Sequence, residues 1–236
     1  MHFSMIRLTA LAGLASLAAC GGTGGPQPDV STDQVIAATI GTTTGLTDAR
    51  AQTNALGVVE GTTNRTIHAF SAGTAARNFG QLPGTQEMVG LAVFGPSTES
   101  IVGDIPTSGA VNYRGGVFLD HVTGIGIDDN GVFSAGQVEE VSGSLSVEVD
   151  LDNLDFVGTG TDGDSGATIF AMQGVLSSDG AMSGSATFAG IDAELQGQVF
   201  GNSRSSFNSG IVGAFAGSTD DELAVSYTHL RAHETT

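Results

Sequence analysis

Along the second half of the chain, apolar and polar residues alternate with a period of two. Leu145, Val147, Val149 and Leu151 fall on one face, and Ser144, Ser146, Glu148 and Asp150 on the other. Ile191, Ala193, Leu195 and Val199 alternate with Asp192, Glu194, Gln196 and Gln198, and Val111, Tyr113, Val117 and Leu119 with Asn112, Arg114 and Asp120. Strict alternation predicts half-buried strands with one wet face, as in an antiparallel sheet. Turn residues separate them at short intervals: Asp129-Asn130-Gly131, where Asn-Gly predicts a type I′ hairpin, Leu151-Asp152-Asn153, Asp162-Gly163-Asp164-Ser165-Gly166 and Ser178-Asp179-Gly180. About eight strands fit between Gly109 and Leu223, with no helical periodicity.

Eight such strands predict an all-β chain built on an antiparallel up-and-down β-barrel, since closure removes exposed sheet edges. Gly115, Gly116, Gly158, Gly160, Gly174, Gly184, Gly197, Gly213 and Gly217 lie inside the strands, where they let a small barrel coil sharply. A transmembrane barrel needs a lipid-facing apolar face and aromatic girdles. The outer face here is Ser, Asp, Glu and Gln, with two tyrosines and no tryptophan in the chain, so the barrel is expected to be soluble. Upstream, Thr63–Ala72 and Met88–Phe94 predict strands, Thr47–Leu56 a short helix capped by Thr47, and Pro96–Pro106 a linker. Residues 34–104 thus form a small β-rich N-terminal region and residues 105–224 the barrel.

Composition narrows the function classes. The chain of 236 residues carries 36 glycines, and its 25 acidic residues against 7 arginines, with no lysine, set a net charge of −18. Phosphate contacts need Lys and Arg, so nucleic acid is not an expected partner. The same sign disfavours docking on anionic headgroups and allows a basic protein partner.

The N-terminus reads as an export signal. Arg7 is followed by the apolar run Leu8–Leu17, too short for a membrane-spanning helix but suited to a signal peptide. Leu17-Ala18-Ala19-Cys20 resembles the lipobox of bacterial lipoproteins. The resemblance implies removal of residues 1–19 and acylation of Cys20, the chain's one cysteine, with palmitate among the chains attached. Residues 20–33 are a flexible tether, Gly- and Pro-rich over Gly21–Pro28. Gly21 after the cysteine, by the same resemblance, carries no inner-membrane retention signal, so the expected location is the outer membrane.

The C-terminal residues 225–236, Val-Ser-Tyr-Thr-His-Leu-Arg-Ala-His-Glu-Thr-Thr, break the composition of the rest and resemble a translated adapter. They are expected to pack poorly, with the natural chain continuing beyond about Leu223. His229 and His233 are accordingly not read as a metal pair, despite their i, i+4 spacing.

No catalytic constellation emerges. There is no Gly-x-Ser-x-Gly elbow, no His-Glu-x-x-His motif and no Lys-bearing phosphate loop. Outside the signal and tail the histidines are His68 and His121, the latter beside Asp120 and expected to be a surface or packing residue. Asp162–Gly166 and the group Asp150, Asp152 and Asp155 have the carboxylate density of calcium loops but lack the later bidentate Glu, and predict turns. No enzyme activity, metal or cofactor is expected.

Two stretches carry a family resemblance. Gly90-Leu91-Ala92-Val93-Phe94-Gly95 followed by Ile105-Pro106-Thr107-Ser108-Gly109-Ala110-Val111-Asn112-Tyr113-Arg114-Gly115 is similar to the entry of the barrel domain of transferrin-binding protein B-like surface lipoproteins. Gly197-Gln198-Val199-Phe200-Gly201, Gly213-Ala214-Phe215-Ala216-Gly217 and Asp221-Glu222-Leu223-Ala224 resemble its closing segment. The resemblance spans about Gly90 to Ala224. It implies a surface-exposed, outer-membrane lipoprotein whose barrel loops bind a protein or a haem- or iron-bearing ligand. Only one barrel with a reduced N-terminal part fits here, and loops that would meet transferrin do not map, so transferrin binding does not carry over. The alternative is a structural or shielding envelope lipoprotein without a small-molecule ligand.

Overall fold

The computed structural model describes residues 35–60, 62, 65–69, 73–96, 108–200 and 210–233. Four strands form an N-terminal sheet: β1 (Val35–Thr42), β2 (Arg65–Ala69), β3 (Thr74–Gln81) and β4 (Glu87–Gly95), in the order β1-β4-β3-β2. β1 runs parallel to β4, and the other pairs are antiparallel. Helix α1 (Leu46–Asn54) makes the crossover and packs on the sheet through Ala49, against Ala76 and Val93. The predicted helix is present, but Thr47 does not cap it. Gly45 occupies the cap position without a side-chain bond, and Asp48 reaches back to accept the Thr44 N–H at 2.9 Å. A carboxylate in the first turn satisfies a donor the helix leaves open there.

The rest is a closed eight-stranded barrel: β5 (Ala110–Thr123), β8 (Gln137–Asp150), β9 (Asp155–Asp162), β10 (Thr168–Leu176), β11 (Ala181–Phe188), β12 (Ile191–Phe200), β13 (Gly210–Ser218) and β14 (Leu223–His233). The short ribbon β6 (Gly126–Ile127) and β7 (Phe133–Ser134) is inserted between β5 and β8. The Asn-Gly turn of this ribbon differs from expectation. Asn130 does not adopt positive φ, as a type I′ turn requires; only Gly131 does, at 78°. Asp128 holds the turn by accepting the N–H groups of Asn130 and Val132, each at 2.8 Å.

Alternation puts the apolar set inside. Tyr113, Val117, Leu119, Leu145, Val147, Val149, Phe156, Phe170, Leu195 and Phe215 belong to one buried cluster that fills the lumen. Ser142, Ser144, Ser146 and Glu148 of β8 face solvent. Apolar inside and polar outside is the reverse of a porin-type wall. Two glycines leave room for aromatic rings within the lumen. Phe170 is the register partner of Gly160, and Phe156 of Gly174. A Cβ built on Gly160 would meet the Phe170 ring at 2.1 Å, and one on Gly174 would meet Phe156 at 2.6 Å.

The N-terminal sheet lies on the outside of β13, β14 and β5. Met88, Val122, Leu223 and Val225 belong to one buried cluster at this junction, and Ala75, Ala92, Phe94, Val212, Ala214 and Tyr227 to another. β13 is therefore buried on both faces, which explains its unbroken small apolar sequence.

The C-terminal residues overturn one expectation. Leu223–His233 pairs with β13 on one side and β5 on the other, and so closes the barrel. Val225, Tyr227 and Leu230 are buried. The pattern explains the packing: Leu223, Val225 and Tyr227 face the sheet, and Ala224 and Leu230 face the lumen. Among the described residues between Gly109 and Leu223 there are accordingly seven complete barrel strands and the two ribbon strands, with the eighth barrel strand beginning at Leu223.

Candidate partner-binding site

The barrel has two unlike ends. The ribbon end carries β6–β7, the turn Asp162–Ala167, the turn between β11 and β12, and the turn between β13 and β14. The hairpin end carries the turns from β8 to β9 and from β10 to β11. The chain enters at the ribbon end: Ile36, at the start of β1, accepts a hydrogen bond through its carbonyl from Ser218 Oγ at 3.2 Å.

At the hairpin end a tight turn presents an apolar side chain. Asp150 accepts the backbone N–H groups of Asp152 at 2.9 Å and Asn153 at 3.0 Å, and the Asn153 side-chain amide at 2.7 Å. The Asn153 backbone bond is foremost in holding the Asp150 carboxyl below the ordinary carboxylate range. Leu154 follows at φ 58°, a left-handed conformation costly for a bulky residue. Its carbonyl is tied to β10 by the Leu176 N–H at 2.8 Å. Its side chain stays 40% exposed, and Val157 and Val175 on the adjoining strands are 58% exposed each.

The two valines adjoin on the sheet, and Leu154 lies in the turn just before β9. Val157 stands opposite Gln173, and Val175 opposite Asp155, so the two valines are diagonal neighbours on the outer face of β9 and β10. On the next strand Val157 stands opposite Glu148, and Asp155 opposite Asp150. The apolar patch is thus edged by Glu148, Asp150, Asp152 and Asp155. Away from the turn the same face continues uncharged through Thr159, Ala171, Ser183 and Ser185. The sequence carries a signal for the patch in the doublets Phe156-Val157 and Val175-Leu176. An apolar doublet in an alternating strand must put one member on the wet face.

The other sequence-marked residues fall elsewhere. Cys20 lies outside the described residues. His121 packs edge-on to Phe188, with ring centroids 5.1 Å apart, and its Nε2 lies 3.3 Å from a Glu222 carboxylate oxygen. His68 on β2 is hydrogen-bonded to Tyr227 and lies edge-on to Phe118, at the junction of sheet and barrel. His229 stacks on Phe118. Asp162 accepts the N–H groups of Asp164 and Ser165 and the Ser165 hydroxyl, so its carboxylate is engaged in holding a turn. Among the described residues no group of three or more His, Cys, Asp or Glu is placed to hold a metal ion.

No family model matches the chain, and no curated protein matches it in sequence. Among solved structures, the isotype 1 transferrin-binding protein B of serogroup B Neisseria meningitidis is similar at 17% identity and TM-score 0.44, over 75% of this chain and 37% of that one. A mutant of the transferrin-binding protein B vaccine antigen of Haemophilus parasuis is similar at 13% identity and TM-score 0.47, over 75% of this chain and 38% of that one. The chain thus spans well under half the length of these structures. The comparisons leave a distant structural resemblance to transferrin-binding protein B structures.

Proposed function

We propose that the chain is a lipoprotein held at the bacterial outer membrane by acyl chains on Cys20, displayed at the cell surface, and bound to an extracellular partner through the hairpin end of its barrel. The observation that carries this reading is the set of exposed apolar residues Leu154, Val157 and Val175 at the end of the barrel opposite the start of β1. A contiguous apolar surface rimmed by polar residues marks an interaction site more often than scattered single residues do. The lumen is filled by side chains, so a protein or a haem- or iron-bearing ligand would be met on the outer surface. Acyl chains contribute about 0.8 kcal/mol per buried CH₂, so several together hold the protein firmly.

The test uses the lipidated chain and its Val157→Ser/Val175→Ser variant as baits, against immobilised haem and against identified extracellular proteins. Enrichment by the parent and its loss in the variant supports the reading. If nothing is enriched by the parent over the variant, the binding role is wrong and a structural or shielding role takes its place. Cys20→Ser is expected to move the protein out of the membrane fraction, and a mature membrane-extracted chain with an unmodified Cys20 would overturn the anchor.

A further inference from the structure

The rim of the patch says more about a partner than the patch does. Glu148 stands opposite Val157, and Asp155 opposite Val175, so each exposed valine has a carboxylate as its cross-strand neighbour. Asp152 and Asp155 are exposed at the turn, and Asp150 caps it. No salt bridge involves any of these four carboxylates among the described residues. The rest of the chain reinforces their sign, with a net charge of −18.

Resting on the reading above, we infer that the hairpin end docks a protein surface on which apolar side chains are ringed by Arg or Lys. Each part of the juxtaposition has a consequence. The apolar centre excludes water around Leu154, Val157 and Val175 and supplies the short-range attraction. The four carboxylates draw in a basic surface and repel an acidic one, so they set the association rate and the choice of partner. An anionic lipid surface or a nucleic acid is rejected by the same field.

The test selects peptides from a random twelve-residue display library on the full lipidated protein in detergent, beside the variants Val157→Ser/Val175→Ser and Asp152→Asn/Asp155→Asn. Both variants change exposed side chains, and circular dichroism checks that each retains the barrel. The expected result is enrichment of peptides that combine Arg or Lys with aromatic or aliphatic residues. A synthetic copy of the leading peptide should bind at least about tenfold more weakly to either variant, and to the parent at raised salt. Enriched apolar peptides without basic residues, lost in the valine variant but indifferent to the aspartate variant, would overturn the inference while leaving the binding role intact. Enrichment of acidic peptides would overturn it as well. No enrichment over the valine variant would remove both the inference and the binding site it rests on.

Discussion

Arg77 of β3 and Asp120 of β5 form a two-pronged ion pair sealed between sheet and barrel: Nε donates to Oδ2 at 2.7 Å and Nη2 to Oδ1 at 2.9 Å, with both side chains buried. Nη2 also donates to Glu140 at 3.1 Å, and the guanidinium lies 5.3 Å from the centre of the Tyr227 ring. A guanidinium and a carboxylate taken out of water together hold one register of sheet against barrel.

Removing one partner is therefore worse than removing both. Asp120→Ala is expected to cost about 3–5 kcal/mol, because it leaves a buried charge without its main counter-ion. Arg77→Met combined with Asp120→Leu should return most of that loss, since apolar residues of similar volume replace a desolvated pair nearly neutrally. Urea unfolding of the three variants measures both. A single-variant loss below about 1 kcal/mol, the level of an exposed pair, would show that the pair is not sealed.

The glycines under the aromatic rings make a second, separable prediction. The three atoms nearest a Cβ on Gly160 all belong to the Phe170 ring, whereas one on Gly174 also meets Ser183 backbone oxygen at 2.2 Å and Gly184 Cα at 2.7 Å. Gly160→Ala should cost about 1–3 kcal/mol by overpacking, and much of that cost should vanish on a Phe170→Ala background. Gly174→Ala should cost as much on a Phe156→Ala background as alone, because backbone does not move aside. Double-mutant cycles by thermal or urea melting decide between the two behaviours.

Acid should loosen the turns. Asp128, Asp150, Asp162 and Asp179 all have carboxyl pKa values lowered by hydrogen bonds within their turns, the largest being backbone N–H of Val132 for Asp128, backbone N–H of Asn153 for Asp150, and the side chains of Ser165 and Ser177 for Asp162 and Asp179. A group whose folded pKa lies below its unfolded value contributes stability above the unfolded pKa and loses it as pH falls through the folded one. The melting temperature should thus fall on the acid side of about pH 4, and the Asp→Asn variant at all four positions should fall less steeply there. Asp120 has the opposite sign: burial raises its pKa, against the pull of Arg77. Its contribution is full below the unfolded value and fades as pH rises through the folded one. Comparing the quadruple variant with the parent leaves Asp120 unchanged and isolates the turns. Parallel acid limbs in the two proteins would refute the assignment.

The barrel was legible wherever one face is wet. The sets Leu145-Val147-Val149 and Ile191-Ala193-Leu195 alternate because their odd positions fill the lumen and their even ones meet solvent. Legibility fails where the sheet covers the outer wall. β13 and the start of β14 are buried on both faces, so alternation is lost. β3 departs from the alternation for a related reason: Thr74-Ala75-Ala76-Arg77-Asn78 reads as a polar loop, yet Arg77 is buried by its pairing with Asp120 across the fold. β1 went unread because Ile36, Ala38 and Ile40 face the barrel while Ala37 and Gly41 are half-buried on the other side. The patch of Leu154, Val157 and Val175 needed the register of three strands to become a surface, although each residue was visible alone.

Closure of the barrel joins β14 to β5, with His233 set against Asn112 and Leu223 against Val122. No local hairpin supplies this seam. It brings together the first and last strands of the barrel, so the entropic cost of forming it falls late and over a long loop. During folding β5 must wait, with one edge unpaired, until β14 arrives. The interval before the seam forms is when the molecule is most open to edge-to-edge aggregation.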